Sequence, residues 1–170
     1  DDLFLKLGEN IASLQSMRLS PYFKVFEDEA DQWEKKLMDL NERFDIWVDV
    51  QRRWVYLETI FLGSADIKYQ LPQEHKRFMQ IDGDFKSLHR EVGKNPLAVA
   101  ILDIDEVLDR VTNLQDMLTK IQRALGEYLE KQRQQFARFY FVGDEDLLEL
   151  IGSSKDPAKV QKHFSKMFAG

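Results

Sequence analysis

The chain has 170 residues, 44% hydrophobic and 32% charged, a length that suits one domain with a core of ordinary size. It has no cysteine, which excludes disulfides, thiolate metal centres, iron–sulfur clusters and thiol nucleophiles. Its 24 basic and 30 acidic side chains leave a formal charge of -6, which weighs against nucleic acid as a partner, since phosphate binding calls for a basic surplus. Charges interrupt every apolar run before the roughly 18 residues a membrane span requires. The opening Asp1-Asp2-Leu3-Phe4 lacks the basic start of a signal peptide. It begins in mid-helix without an initiator Met, so the chain reads as a piece of something longer.

Apolar residues recur at steps of three and four almost throughout, the signature of one helix face. Phe4, Leu7, Ile11 and Leu14 predict a first helix. Ser20-Pro21 then predicts a new helix start, with Ser as N-cap and Pro at the first position. Phe23, Phe26, Ala30, Trp33, Leu37, Leu40, Phe44, Trp47, Trp54 and Phe61 extend that helix to about Leu62. Glu27, Asp28, Glu29 and Asp31 read as solvated acids near the positive end of its dipole. Between Ile46 and Leu62 nearly every face is apolar, which predicts a central helix packed on several sides.

Gly63-Ser64 ends that run, and Leu71-Pro72 opens another carrying Phe78, Ile81, Phe85, Leu88 and Val92. Gly93-Lys94-Asn95-Pro96 closes it, with Asn95 and Pro96 placed to start the next helix. The most regular stripe follows: Ile104, Val107, Val111, Leu114, Leu118, Ile121, Leu125 and Tyr128 fit an a/d heptad. Phe136 to Val142 breaks the pattern with four aromatics in seven residues, and reads as a short extended segment. Asp144-Glu145-Asp146 opens a short helix, and Asp156-Pro157 a last one bearing Val160, Phe164 and Phe168. The fold class is therefore all-α. Short connections favour an elongated bundle of long antiparallel helices, one domain over 1–170 with lobes at 1–62, 72–135 and 136–170.

Chemistry is hard to assemble from these residues. His75, His89 and His163 are far apart and none shares the i, i+4 spacing of a helical zinc site, so no metal ligands are assigned. Asp103-Ile104-Asp105-Glu106 lacks the Gly and the distant Glu of a calcium loop. Neither phosphate-binding glycine motif occurs, and no serine has a nucleophile-elbow setting. No catalytic or cofactor-binding residue is assigned, and an enzyme is not expected. The informative residues are mechanical: Trp33, Trp47, Trp54, Phe61, Phe139 and Phe141 as structural core, with Gly63-Ser64 or Gly93 through Asn95 and Pro96 as candidate hinges.

Trp47 through Phe61 (Trp-Val-Asp-Val-Gln-Arg-Arg-Trp-Val-Tyr-Leu-Glu-Thr-Ile-Phe), followed by Gly63 through Ile67, closely resembles the linker region of the dynein heavy chain. So does Phe136 through Ile151, with Lys155 and the Gln161-Lys162-His163-Phe164 run after it. The likeness extends from Ser20 to the end, and Gln51-Arg52-Arg53-Trp54 and Val142 through Asp146 resemble the cytoplasmic rather than the axonemal branch. Ala137 stands where the family often has Pro. The resemblance implies a mostly helical rod that bends over a AAA+ ring and carries ATP-driven motion to a cargo-binding tail, moving toward microtubule minus ends. It implies no cofactor in this stretch, ATP and Mg2+ belonging to the parent motor. It implies the ring of the same heavy chain as partner in cis, microtubule and cargo adaptors engaged only through other regions, and no nucleic acid or membrane. The stretch alone would be monomeric, its parent homodimeric, cytoplasmic and cytoskeletal. The rival expectation is a static spectrin-like spacer, which the aromatic segment and the lack of a long repeat argue against.

Overall fold

A computed structural model describes residues 2–63, 65–95, 97–152 and 157–168, apart from the side chains at 65, 66, 159 and 165. The described residues form an all-α fold without strands. In order they are α1 (Asp2–Met17), α2 (Glu27–Gly63), α3 (Ala65–Gln70), α4 (Pro72–Val92), α5 (Val107–Gln135), α6 (Asp144–Gly152), α7 (Pro157–Gln161) and α8 (Phe164–Met167). Short 3-10 segments stand at Phe23–Val25, Ala98–Asp103 and Ala137–Phe141.

Helix starts follow the local chemistry, with two shifts from expectation. Ser20-Pro21 does not open α2. The Ser20 hydroxyl accepts the Tyr22 N–H at 3.3 Å, the chain makes the first 3-10 turn, and α2 begins at Glu27 with three acids in its first turn. Likewise Asn95 Oδ1 accepts the Leu97 N–H at 3.2 Å, but a 3-10 turn follows and α5 starts only at Val107. Glu106, just before it, holds a φ of 54, a left-handed conformation uncommon for a residue with a side chain.

The aromatic stretch after α5 is also corrected. Phe136 and Val142 are extended, but Ala137–Phe141 between them is a 3-10 turn, not a strand. No neighbouring strand offers a ladder among the described residues, so the backbone closes its bonds locally: Phe139 N–H reaches Phe136 C=O at 2.9 Å and Val142 N–H reaches Phe139 C=O at 3.1 Å.

Two compact units make up the chain, Asp1–Val50 with Lys86–Asn113, and Gln51–Phe85 with Leu114–Gly170. Their borders fall inside α2, α4 and α5, not at the loops near 63–72 or 93–96. The first unit buries Leu7, Leu40, Trp47, Val50, Leu88 and Val111. The second buries Leu57, Phe61, Phe78, Ile81, Phe85 and the α5 row Leu114, Leu118, Ile121, Leu125 and Leu129. That row is the heptad stripe, moved at its end from half-exposed Tyr128 to Leu129. No helix is long and apolar enough to cross a membrane among the described residues.

Candidate functional site

The mechanical residues fall in different places. In the first unit Trp47 is buried, its ring centroid 4.9 Å from that of His89. Trp33 departs from expectation: it is 49% exposed, with Lys36 Nζ 5.1 Å above its ring. Ala30 and Leu40 share its face of α2 and are buried, so the face is covered at those positions but not over the indole, where the Lys36 cation lies instead.

In the second unit the aromatic core is continuous. Phe61 is fully buried and stacks on Phe78 at 5.5 Å, with His75 at 6.1 Å. Trp54 is half-buried, packs against Phe85 at 5.5 Å, and donates its indole N–H to Asp82 Oδ1 at 3.1 Å. Asp82 is 8% exposed, so the indole supplies part of what water would otherwise give this carboxylate. Arg53 donates to Gln122 at 2.6 Å, tying α2 to α5. The helix α2 is not covered on all its apolar sides, however, since Val55 and Leu62 are each 45% exposed.

Phe139 and Phe141, expected to pin the C-terminal segment, divide. Phe139 is half-buried and meets Phe136 edge-on at 4.9 Å, whereas Phe141 is 72% exposed and pins nothing. An aromatic in a one-turn 3-10 helix faces inward only once per three residues, and Phe139 takes that position. Arginines do the pinning instead. Arg138 donates to the Met167 carbonyl at 2.9 Å and lies 4.4 Å over the Phe168 ring. Arg133 donates to Asp144 at 2.6 Å and to the Val142 carbonyl at 3.2 Å, clamping the entry to α6.

Of the candidate hinge positions, Gly63 is the last residue of α2 and exposed. It lines an open pocket of about 450 Å3 with Tyr56, Ile60, Ile67 and Leu148, and a Cβ built on it meets nothing within 4 Å. Gly93 follows α4, and its N–H bonds the His89 carbonyl at 2.9 Å. It is not in the left-handed region expected of a helix-ending glycine, and a Cβ there would stand 3.2 Å from the His89 carbonyl oxygen. Asn95 sits in the turn that follows. Ser64 and Pro96 lie outside the described residues.

Two further features were not foreseen. An open groove of about 1100 Å3 is lined by Tyr69, Phe136, Phe139, Leu150, Phe164 and Phe168, among others. Beside it, Asp146 and Glu149 of α6 face His163, which is 5% exposed. Lys166 donates to Asp146 at 2.6 Å and holds that carboxyl below its ordinary range. Asp146 and Glu149 share a helix face at i, i+3, but their partner is far along the chain, so spacing within one segment carried no signal.

Electrostatics elsewhere are superficial. Arg18 reaches Glu34 at 2.7 Å and Asp31 at 2.6 Å, and Gln15 adds a bond to Glu34 at 2.9 Å. The Arg18 hydrogen bond, helped by Gln15, holds the Glu34 carboxyl below its usual value, and Glu34 in turn raises Arg18. Tyr140 donates to Glu130 at 2.7 Å, which raises its phenol.

The sequence of all these elements matches the family model described as dynein heavy chain, N-terminal region 2, over residues 1–170. It is 59% identical to the cytoplasmic dynein heavy chain of Drosophila melanogaster over 170 residues, which is 100% of this chain and 4% of that protein. Identity is 55% to the cytoplasmic dynein heavy chains of Dictyostelium discoideum and Neurospora crassa, with the same coverage. The chain thus spans about 4% of the length of the relatives it matches.

Proposed function

Because the chain belongs to the dynein heavy chain family, as its N-terminal region 2, we propose that it serves as the mechanical lever, or linker, of a microtubule minus-end-directed motor. In this reading it bends over the AAA+ ring of its own heavy chain and passes ATP-driven motion to the cargo-binding tail. The ATPase, with its ATP and Mg2+, belongs to other parts of the parent, as do contacts with microtubules and cargo adaptors. The working place is the cytoplasm, on the microtubule cytoskeleton.

The observation that supports it best is the contrast at the end of α2. The 37-residue helix carries the buried Trp47 and Phe61, then stops at Gly63, an exposed glycine facing open space. Stiff packing beside an unobstructed backbone is what a hinged lever requires, because a hinge must absorb rotation at a few residues while its flanks hold shape. Gly93 and Asn95 offer a second break, more hindered by the His89 carbonyl.

Gly63→Ala in a full-length heavy chain tests the hinge. The added methyl has room and favours helix, by about 0.5–1 kcal/mol. Microtubule gliding should slow while ATP binding to the ring is unchanged; unaltered gliding would remove the hinge from Gly63. The lever itself is tested by energy transfer between a donor at Leu19→Cys, an 89% exposed position, and an acceptor on the ring. A distance that changes between ATP and ADP states supports the lever, and a constant one favours the static spacer.

A further inference from the structure

His163 is 5% exposed, and both ring nitrogens are buried without a hydrogen bond. The nearest acceptors are Asp146 Oδ1, 3.4 Å from Nδ1, and Glu149 Oε2, 3.3 Å from Nε2. A charge-assisted N–H to carboxylate bond closes to about 2.7–2.9 Å. Such closure is available at this site, since Lys166 sits 2.6 Å from the other Asp146 oxygen. The imidazole therefore stands off from two carboxylates that face it. The separation of Nδ1 from Asp146 is that of two ligands on one ion, since bonds of about 2.0–2.2 Å in tetrahedral geometry place neighbouring donor atoms about 3.4 Å apart; Glu149 faces the other ring nitrogen and joins them only by swinging across.

We propose that His163, Asp146 and Glu149 form a divalent-metal site that takes Zn2+. One ligand atom from each lies within 4.8 Å of the others, and Glu149, about half exposed, has room to draw in. The donor set of one imidazole nitrogen and two carboxylate oxygens suits a first-row ion better than Ca2+ or Mg2+, which prefer oxygen alone. Three protein ligands leave a position for water. Lys166 fixes Asp146 from behind through Oδ2, as outer partners commonly orient a ligating carboxylate. The ion would staple the His163 turn, between α7 and α8, to α6. This site does not depend on the lever reading, and stands or falls separately from it.

The test uses the 170-residue chain, stripped of metal and titrated calorimetrically with Zn2+ alone, then with Ca2+ as comparator. Circular dichroism checks that each variant keeps its helix content. The wild type should take up about one Zn2+ with a rise in Tm. Glu149→Gln, at a position exposed enough to leave folding intact, should weaken uptake by about tenfold or more, and His163→Gln should abolish it. Absence of uptake by the wild type, uptake unchanged in either variant, or Ca2+ bound as tightly as Zn2+ overturns the proposal.

Discussion

The two units solve the same packing problem with different materials. In the first, Gln15 of α1 and Arg18 just after it meet Asp31 and Glu34 of α2, with only Glu34 mostly covered, while Leu19, Tyr22, Val25 and Phe26 are each more than half exposed. In the second, Phe61, Phe78 and Phe85 are sealed, and the buried Asp82 beside them accepts the Trp54 indole N–H. Burial of an aromatic stabilises through area and close packing, whereas an exposed ion pair loses most of its attraction to solvent and side-chain entropy. The second unit should thus resist unfolding more, and the first should open first.

Breaking the stiff unit is the largest effect to look for. Phe61→Ala empties the centre of the aromatic stack and should cost about 3–5 kcal/mol, read by urea denaturation. A loss under about 1 kcal/mol would mean that the core collapses around the gap, and the contrast between the units would fade. Trp54→Phe keeps the packing on Phe85 but removes a donor from a buried carboxylate. It should cost about 1–3 kcal/mol, and Asp82→Asn should reduce the penalty of the second substitution, since a neutral amide tolerates the loss better. Additive costs would show that the indole N–H does not serve Asp82.

How much of this was legible beforehand follows the same divide. Periodicity placed α4 and α6 at their observed starts, and the stripe from Val107 to Leu125 is buried as its spacing demands. It misjudged Trp33 and Phe141, because a pattern reports which residues share a face and not whether anything covers that face. The 3-10 turns at Phe23–Val25, Ala98–Asp103 and Ala137–Phe141 were invisible for a related reason: they satisfy backbone groups locally where α-helix or strand would need more chain. Linear reading found no partners for His163, whose neighbouring carboxylates come from α6, and passed over the arginine clamps at Arg133 and Arg138, whose acceptors include backbone carbonyls. Tertiary pairings of this kind leave no mark in the spacing of one segment.

Exposed aromatics give a smaller test of the contrast. Phe141→Ser and Trp33→Ala should each change stability by no more than about 0.5–1 kcal/mol, measured in the same urea series as Phe61→Ala. A cost near that of Phe61→Ala at either site would mean that the ring is covered in solution.

The smallest effect separates the units by pH. Arg18, with Gln15, lowers the folded value of Glu34 below that of the unfolded chain. A lowered carboxyl contributes stability in full above the ordinary value of about 4.3, and loses it as pH falls through the folded value, where both states are protonated. Glu34→Gln should therefore lower Tm slightly at pH 7, and that deficit should shrink below the ordinary carboxyl value and vanish once pH falls below the folded one, with 1 M salt shrinking it at pH 7 as well. Since Arg18 and Asp31 are both about half exposed, the change should stay small beside that of any core substitution. A deficit that persists unchanged as pH falls below the folded value would assign it to the packing of the Glu34 stem and not to its charge, and the α1–α2 contact would then rest, like the cores of both units, on buried surface.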